Sequence, residues 1–447
     1  MKNFGAVLCV LFAVASSAFA EKFLAVSDIH FNPFADPTIV ARLEAADVSQ
    51  WQAILASSSV TAFSAYGSDV NEPLFRSALG EMKQQLPSPA FVLISGDFLA
   101  HKFDKTYQQY ATDKSQAAYT AFVTKTIAYV ASAIHAAYPG VPVYPILGNN
   151  DSDCGDYAVA PHSVFLANFR DVWKPMVGSR SFDRRFPTGG YYHVDVRGLK
   201  NVRVIALNTN FFSTNYKNPC GTPGPDPGVR QLQWLDAELL LARAEHKRVW
   251  LLFHIPPGVD VYDSEVYGGA CPNLKAEMFW KEQYAAEYLA IAARHRDTII
   301  GSFAGHTHQD ELRVAAGDFI HISPSFSPIF GNNPAFEIVE ADRNGTIADY
   351  TAWHLPNVTL PWKREYAFGE AYAKARYDTA TLTELAAAIG RDEKTRAQYF
   401  DYTSSGNAKS TAEALAKWQG YWCGLTALTG TAFTKCYCDA DAAATGK

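Results

Sequence analysis

The chain has 447 residues with 39 Lys+Arg against 45 Asp+Glu, and its formal net charge of −6 argues against a protein that grips nucleic acid through a basic face. With 48% hydrophobic and 13% aromatic residues it can bury a large core, which excludes disordered and fibrous classes. Length alone allows anything from one large domain to about three.

The first twenty residues read as a cleaved export signal. Lys2 supplies the positive start, Phe4 to Phe19 is apolar or small, and Ala18-Phe19-Ala20 precedes a cut before Glu21. The apolar stretch lies at the ~17-residue lower limit of a membrane span, and no later segment has ~18 uninterrupted apolar residues. A secreted or periplasmic protein with no stable membrane anchor is expected.

From Lys22 onward, apolar β-like runs alternate with longer helical patterns. The runs fall at 23–27, 91–95, 143–147, 202–207, 249–253 and 299–303, and helical spacing covers 117–137, 228–244 and 277–294. Such alternation predicts an α/β layered fold. Short strands are expected near 319–322, 336–340 and 347–353, then helical spacing in 381–389 and 411–421. The organisation expected is a signal at 1–20, a catalytic domain at 21–360, and a small helical, Cys-containing C-terminal subdomain at 361–447.

Beyond Cys9 in the signal stand six cysteines, Cys154, Cys220, Cys271, Cys423, Cys436 and Cys438. An even number in an exported chain favours disulfides, with 15 pairings open. Three precede residue 300 and three follow 420, so complete pairing needs an odd number of bonds between the regions.

The chemistry lies in the residues just past each apolar run. The first run ends in Asp28-Ile29-His30, the second in Gly96-Asp97, and the third in Gly148-Asn149-Asn150-Asp151. The run at 249–253 ends in His254, and the run at 299–303 leads into Gly305-His306-Thr307-His308. Ligands of open α/β sheets bind at this carboxyl edge. Glycine beside three of these sites lets backbone approach closely. Oxygen and imidazole donors without thiols suit Zn²⁺, Mn²⁺ or Fe. Singly, such residues are turn formers or satisfied polar groups; the ordered set after successive strands is not.

This set resembles the calcineurin-like metallophosphoesterase superfamily along roughly 22–355. The resemblance implies a layered β-sandwich core flanked by helices and a site for two divalent metal ions, most simply Zn. One ion would take Asp28, His30 and His308, the other Asn149, His254 and His306, with Asp97 bridging. Such a pair turns water into a nucleophile and neutralises phosphoryl oxygens. Gly96-Asp97-Phe98-Leu99-Ala100-His101, Asn208 with Asn210, His254-Ile-Pro-Pro-Gly258 and Ser323-Pro-Ser325 are similar to the acid sphingomyelinase-like phosphodiesterase branch. By that resemblance His101 steadies the phosphoryl group or protonates the leaving oxygen. It also implies a bridge Cys220–Cys271, with a second bond among Cys423, Cys436 and Cys438.

The chain departs from the family at residue 150, where relatives have His. Asn150 can donate a hydrogen bond to substrate but cannot shuttle a proton, so His101 would carry that role, with His162 a weaker candidate for substrate contact. The first strand comes directly after the expected cut, leaving no room for a lipid-presenting module. A small soluble phosphoester or phosphoanhydride substrate is therefore favoured. The expected activity is hydrolysis of phosphodiester or phosphoanhydride bonds; the alternatives are a phosphomonoesterase and a non-catalytic metal- or phosphate-binding protein.

Overall fold

A computed structural model describes residues 21–315 and 317–445, so the expected signal at 1–20 lies outside the described residues. The strands are β1 (Glu21–Val26), β2 (Val92–Ile94), β3 (Val143–Pro145), β4 (Tyr192–Asp195), β5 (Val202–Ala206) and β6 (Arg248–Leu252). They continue with β7 (Ile299–Ala304), β8 (Glu311–Ala315), β9 (Asp318–Ile322), β10 (Ala335–Ala341), β11 (Ile347–His354) and β12 (Lys363–Ala367).

They form two mixed six-stranded sheets, ordered β12-β11-β10-β1-β2-β3 and β4-β5-β6-β7-β9-β8. β1, β2 and β3 run parallel in the first sheet, as do β5, β6, β7 and β9 in the second. Aromatic side chains join the sheets face to face. Phe23 of β1 stacks on Phe91 at 4.5 Å and meets Trp250 of β6 at 5.5 Å and Phe303 of β7 at 5.9 Å. All four are fully buried, and such pairs add about 0.5–1.5 kcal/mol beyond their area.

Helices cover the outer faces. Gln116–Ala137, opened by a Ser115 cap, is long and apolar enough to cross a membrane, but it is a core helix. Phe122, Val130 and Ile134 are buried, and its Tyr129 packs on Phe31 and Trp51.

Every expected strand is present, and β4, β8 and β12 are additional. β12 (KREYA) is an edge strand, whose charged side chains hid it from a hydrophobic pattern. Two helices differ from expectation. The one expected from 277 starts at Glu282, because Met278 bridges Val259 and Trp280 bridges Ser213 in extended pairing. The pattern at 411–421 is split into Ala408–Ala416 and Trp418–Gly424.

The disulfides correct one expectation. Cys220 is bonded to Cys154, and Cys271 to Cys438, so Cys220–Cys271 does not form; Cys423–Cys436 is the expected tail bond. The loop after Asn210 turns toward the 149–159 segment, where Lys217 N–H donates to the Tyr157 carbonyl. The loop carrying Cys271 faces the C-terminal helix instead: Thr434 Oγ1 donates to the Leu274 carbonyl at 3.2 Å. The tail also reaches the second sheet, with Val314 N–H donating to the Leu425 carbonyl.

Candidate metal centre

The carboxyl ends of β1, β2 and β3 in one sheet and β6 and β7 in the other deliver the polar residues to a single place. Chain direction must reverse sharply there, and the backbone shows it. Asp28, His30, Asp97, His306 and His308 all have positive φ, from 43° to 78°. Non-glycine residues avoid this region unless surrounding structure enforces it, and such strain concentrates at functional sites. Glycine supplies the clearance: a Cβ on Gly148 would overlap the Asp97 carboxylate, and one on Gly305 would overlap Ser27 and Asp28.

The donors fall into two sets. In the first, His30 Nε2 lies 3.1 Å from His308 Nε2 and 3.6 Å from Asp28 Oδ1, which is 3.4 Å from His308 Nε2. In the second, Asn149 Oδ1 lies 3.1 Å from His254 Nε2 and 2.9 Å from His306 Nδ1. Asp97 Oδ2 stands between them, 3.4 Å from His30 Nε2 and 3.3 Å from His254 Nε2.

Surrounding groups aim these atoms inward. His30 Nδ1–H donates to the Leu99 carbonyl and His254 Nδ1–H to the Ser95 carbonyl, which leaves each Nε2 facing the centre. Metal-ligating histidines are oriented in this way. Asn149 Nδ2 donates to Asp156, which turns its Oδ1 toward His254 and His306. Ser27 Oγ–H and His306 N–H both donate to Asp28 Oδ2, whereas Asp28 Oδ1 is buried without a hydrogen-bond partner. A naked carboxylate oxygen surrounded by imidazole nitrogens fits a metal cation, because an unpaired buried anion is otherwise costly.

The charges agree. Burial opposes ionisation of His30, but Asp97, Asp28 and Asp69 outweigh it and raise its imidazole to about 10. Burial likewise opposes ionisation of His254, but Asp97, Asp28 and the Ser95 carbonyl raise it to about 9. Burial pushes His306 and His308 down to about 3. Burial also works against ionising Asp28 and Asp97, yet facing imidazoles hold both well below the usual carboxylate range. Each donor set thus contains one imidazole whose pKa the neighbouring carboxylates raise.

His101 stacks on His30 at 4.1 Å, and one of its ring nitrogens lies within 4.8 Å of those of His30 and His308. Asp69 holds it: the buried carboxylate accepts from His101 N–H at 2.7 Å, from Nδ1 at 3.0 Å and from Ser327 Oγ at 2.9 Å. Asn150 does not stand free. Its backbone N–H donates to Asp97 Oδ1 at 2.8 Å and its Nδ2 to Asp97 Oδ2 at 2.9 Å. His162 is exposed in the turn before the helix Val164–Val177, and among the described residues no hydrogen bond or ring contact joins it to the cluster.

Three supporting carboxylates lie outside the set read from sequence. Asp151 accepts from the backbone N–H groups of Asp97, Phe98, Leu99 and Gly148, which pins the β2 and β3 turns together. Its place in Gly148-Asn149-Asn150-Asp151 is a usable signal. Asp69 and Asp156 belong to no motif, and only folding brings them to His101 and Asn149.

A family model described as calcineurin-like phosphoesterase matches residues 21–310. The chain is 25% identical over 398 residues to sphingomyelinase phosphodiesterase D of Dictyostelium discoideum, covering 82% of this chain and 83% of that one. It is 25% identical over 386 residues to human acid sphingomyelinase-like phosphodiesterase 3b, covering 81% and 79% respectively. It is also 25% identical over 304 residues to the mouse cyclic GMP-AMP phosphodiesterase SMPDL3A, covering 63% and 65%. Among solved structures, a dimetal phosphatase from Danio rerio superposes with a TM-score of 0.43 at 13% identity, covering 76% of this chain and 98% of that chain.

Proposed function

The chain belongs to the calcineurin-like phosphoesterase family and is a metal-dependent phosphoesterase, and from that premise we propose that it is an exported hydrolase of phosphodiester or phosphoanhydride bonds. The observation that carries this reading is the pair of donor sets meeting at Asp97 Oδ2, with Asp28 Oδ1 left bare among imidazoles. Asp28, His30 and His308 would hold one ion and Asn149, His254 and His306 the other, with Asp97 shared. Nitrogen and oxygen donors without thiolate favour Zn²⁺, with Mn²⁺ or Fe as alternatives. When bound, such a pair supplies an activated water and charge neutralisation for the phosphoryl oxygens.

The chain's own residues do the rest. Asp69 holds His101 through Nδ1, which orients the ring and leaves Nε2 as the atom that can hand a proton to the leaving oxygen. No second imidazole stands at residue 150, so this proton falls to His101. The relatives named as phosphodiesterases support a diester over a monoester. Three disulfides among the described residues support an oxidising compartment. Residues 21–360 would form the catalytic unit, with 361–447 bracing its loops.

The deciding experiment compares bis(p-nitrophenyl) phosphate with p-nitrophenyl phosphate on protein purified without chelator, alongside elemental analysis. Two ions per chain and faster diester cleavage are expected. Faster monoester cleavage would move the assignment to a phosphomonoesterase, and fewer than two ions would remove the shared-Asp97 reading.

A further inference from the structure

Phe330 is 63% exposed, yet it is not on a remote surface. Its ring lies 4.6 Å from His308 and 5.4 Å from His101, edge-on to both. The turn that carries it is tightly held. Gly67 N–H donates to the Pro328 carbonyl, Ser410 Oγ to the Gly331 carbonyl, and Asn333 Nδ2 to the Ser405 carbonyl. A fixed turn therefore keeps a phenyl face in water beside the metal centre. A single exposed apolar side chain is ordinary in itself; Phe330 differs in that its ring is held against two histidines of the centre.

A cleft of about 310 Å³ adjoins this turn, with Phe63, Tyr66, Asn357 and Val358 among its walls. Asn333 ties it to the Phe330 turn: its Oδ1 accepts from Tyr66 OH at 2.5 Å and from Asn357 N–H at 2.9 Å. Ser64 of the same wall donates through Oγ to the backbone carbonyl of Asp69, the residue whose carboxylate holds His101.

We propose that Phe330 and this cleft receive the organic group that leaves from phosphorus, and that this group presents an uncharged planar ring. The inference rests on the phosphodiesterase reading of the centre and names the substrate arm on the His101 side. The cleft walls carry no ionised side chain, so a second phosphate finds no cation there; aromatic faces also take a quaternary ammonium, and phosphocholine tests for it. A volume of about 310 Å³ suits one ring system rather than a long acyl chain. As the water oxygen bonds to phosphorus, the P–O bond to this arm breaks. His101 protonates the departing oxygen, and the proton given up by water restores His101. The arm leaves as a neutral alcohol.

The test is competitive inhibition of the metal-loaded protein by methylphosphonate, phenylphosphonate and phosphocholine, in wild type, Phe330→Ala and Phe330→Trp. Aromatic stacking of the usual strength makes phenylphosphonate about 10-fold or more tighter than methylphosphonate in wild type. That gap should vanish in Phe330→Ala and persist in Phe330→Trp, with phosphocholine no better than methylphosphonate. Equal binding of the phenyl and methyl compounds in wild type overturns the proposal. So does a preference for phosphocholine that depends on Phe330, which would make the cleft an ammonium site. Failure of all three to bind wild type would instead count against the phosphoesterase reading of the centre, and the proposal would fall with it.

Discussion

Asp69→Asn isolates the contact that holds His101, the proposed proton donor. The buried Asp69 carboxylate accepts two hydrogen bonds from His101 and one from Ser327. An amide offers one acceptor oxygen instead of two and no charge, so the ring loses a charged acceptor while the local volume stays nearly the same. Hydrogen bonds to charged groups contribute about 1.5–3 kcal/mol against about 1 for neutral ones. Losing a difference of about 1–2 kcal/mol lowers turnover roughly 5- to 30-fold, at about 1.4 kcal/mol per decade. The effect should depend on the leaving group. An alkoxide needs a proton and should show the full loss in kcat, whereas nitrophenolate needs none and should show less than about 3-fold. His101→Ala should cost about 10²- to 10⁴-fold on the alkyl substrate. Adding Asp69→Asn to it should cost nothing more, since both changes act through one ring. Equal losses on both substrates, or additive losses in the double variant, would refute the assignment.

Asp97→Asn should release both ions together, because its Oδ2 faces both donor sets; loss of one ion in elemental analysis would show that it is not shared. Asn150→Ala removes the amide that grips Asp97 Oδ2, and altered support of a ligand of this kind typically weakens metal affinity about 10- to 100-fold. Competition with a chelator measures this, and unchanged affinity with altered KM would return Asn150 to a substrate role. The contribution of two largely buried carboxyls to stability should decline from pH 5 to pH 8. Burial raises Asp318 to about 7, and it raises Glu265 to about 7 against the pull of Lys417. A raised carboxyl pKa means the folded chain holds protons that the unfolded chain has released, so stability present at low pH is lost as pH rises toward 7. The drop in Tm between pH 5 and pH 8 should shrink in Asp318→Asn, and an unchanged drop would show that this carboxyl does not titrate on unfolding.

The parts of this protein that obey local rules are readable from sequence. β1, β2, β3, β6 and β7 are buried apolar runs, and each ends in the polar residue that enters the centre. Long-range pairings are not readable. Asp69 reaches His101 across a separation of 32 residues, and nothing in Gly67-Ser68-Asp69-Val70 announces it. Cys271 pairs across 167 residues because the C-terminal helix returns over the loop after β6, and no spacing encodes that return. Asn150 stands out as a departure from its relatives, but its attachment to Asp97 depends on the β2 and β3 turns meeting. β8 is hidden because Arg313, on a strand reading Glu-Leu-Arg-Val-Ala, is buried and donates to the carbonyls of Pro257 and Val259. A charge in that pattern ordinarily signals solvent.

β1 lies in the middle of its sheet, with β2 on one side and β10 on the other, and its Leu24 pairs with Ile338. β1, the first strand among the described residues, therefore waits for more than three hundred residues before its second neighbour exists. Until then one edge of β1 is unpaired, and Asp28 and His30 lack His306 and His308. Closing so wide a loop is slow, because its entropy is lost before any contact repays it. A chain arranged in this way keeps that edge of β1 open through most of its synthesis. It also places metal acquisition at the end of biogenesis, in whichever compartment the completed chain first folds.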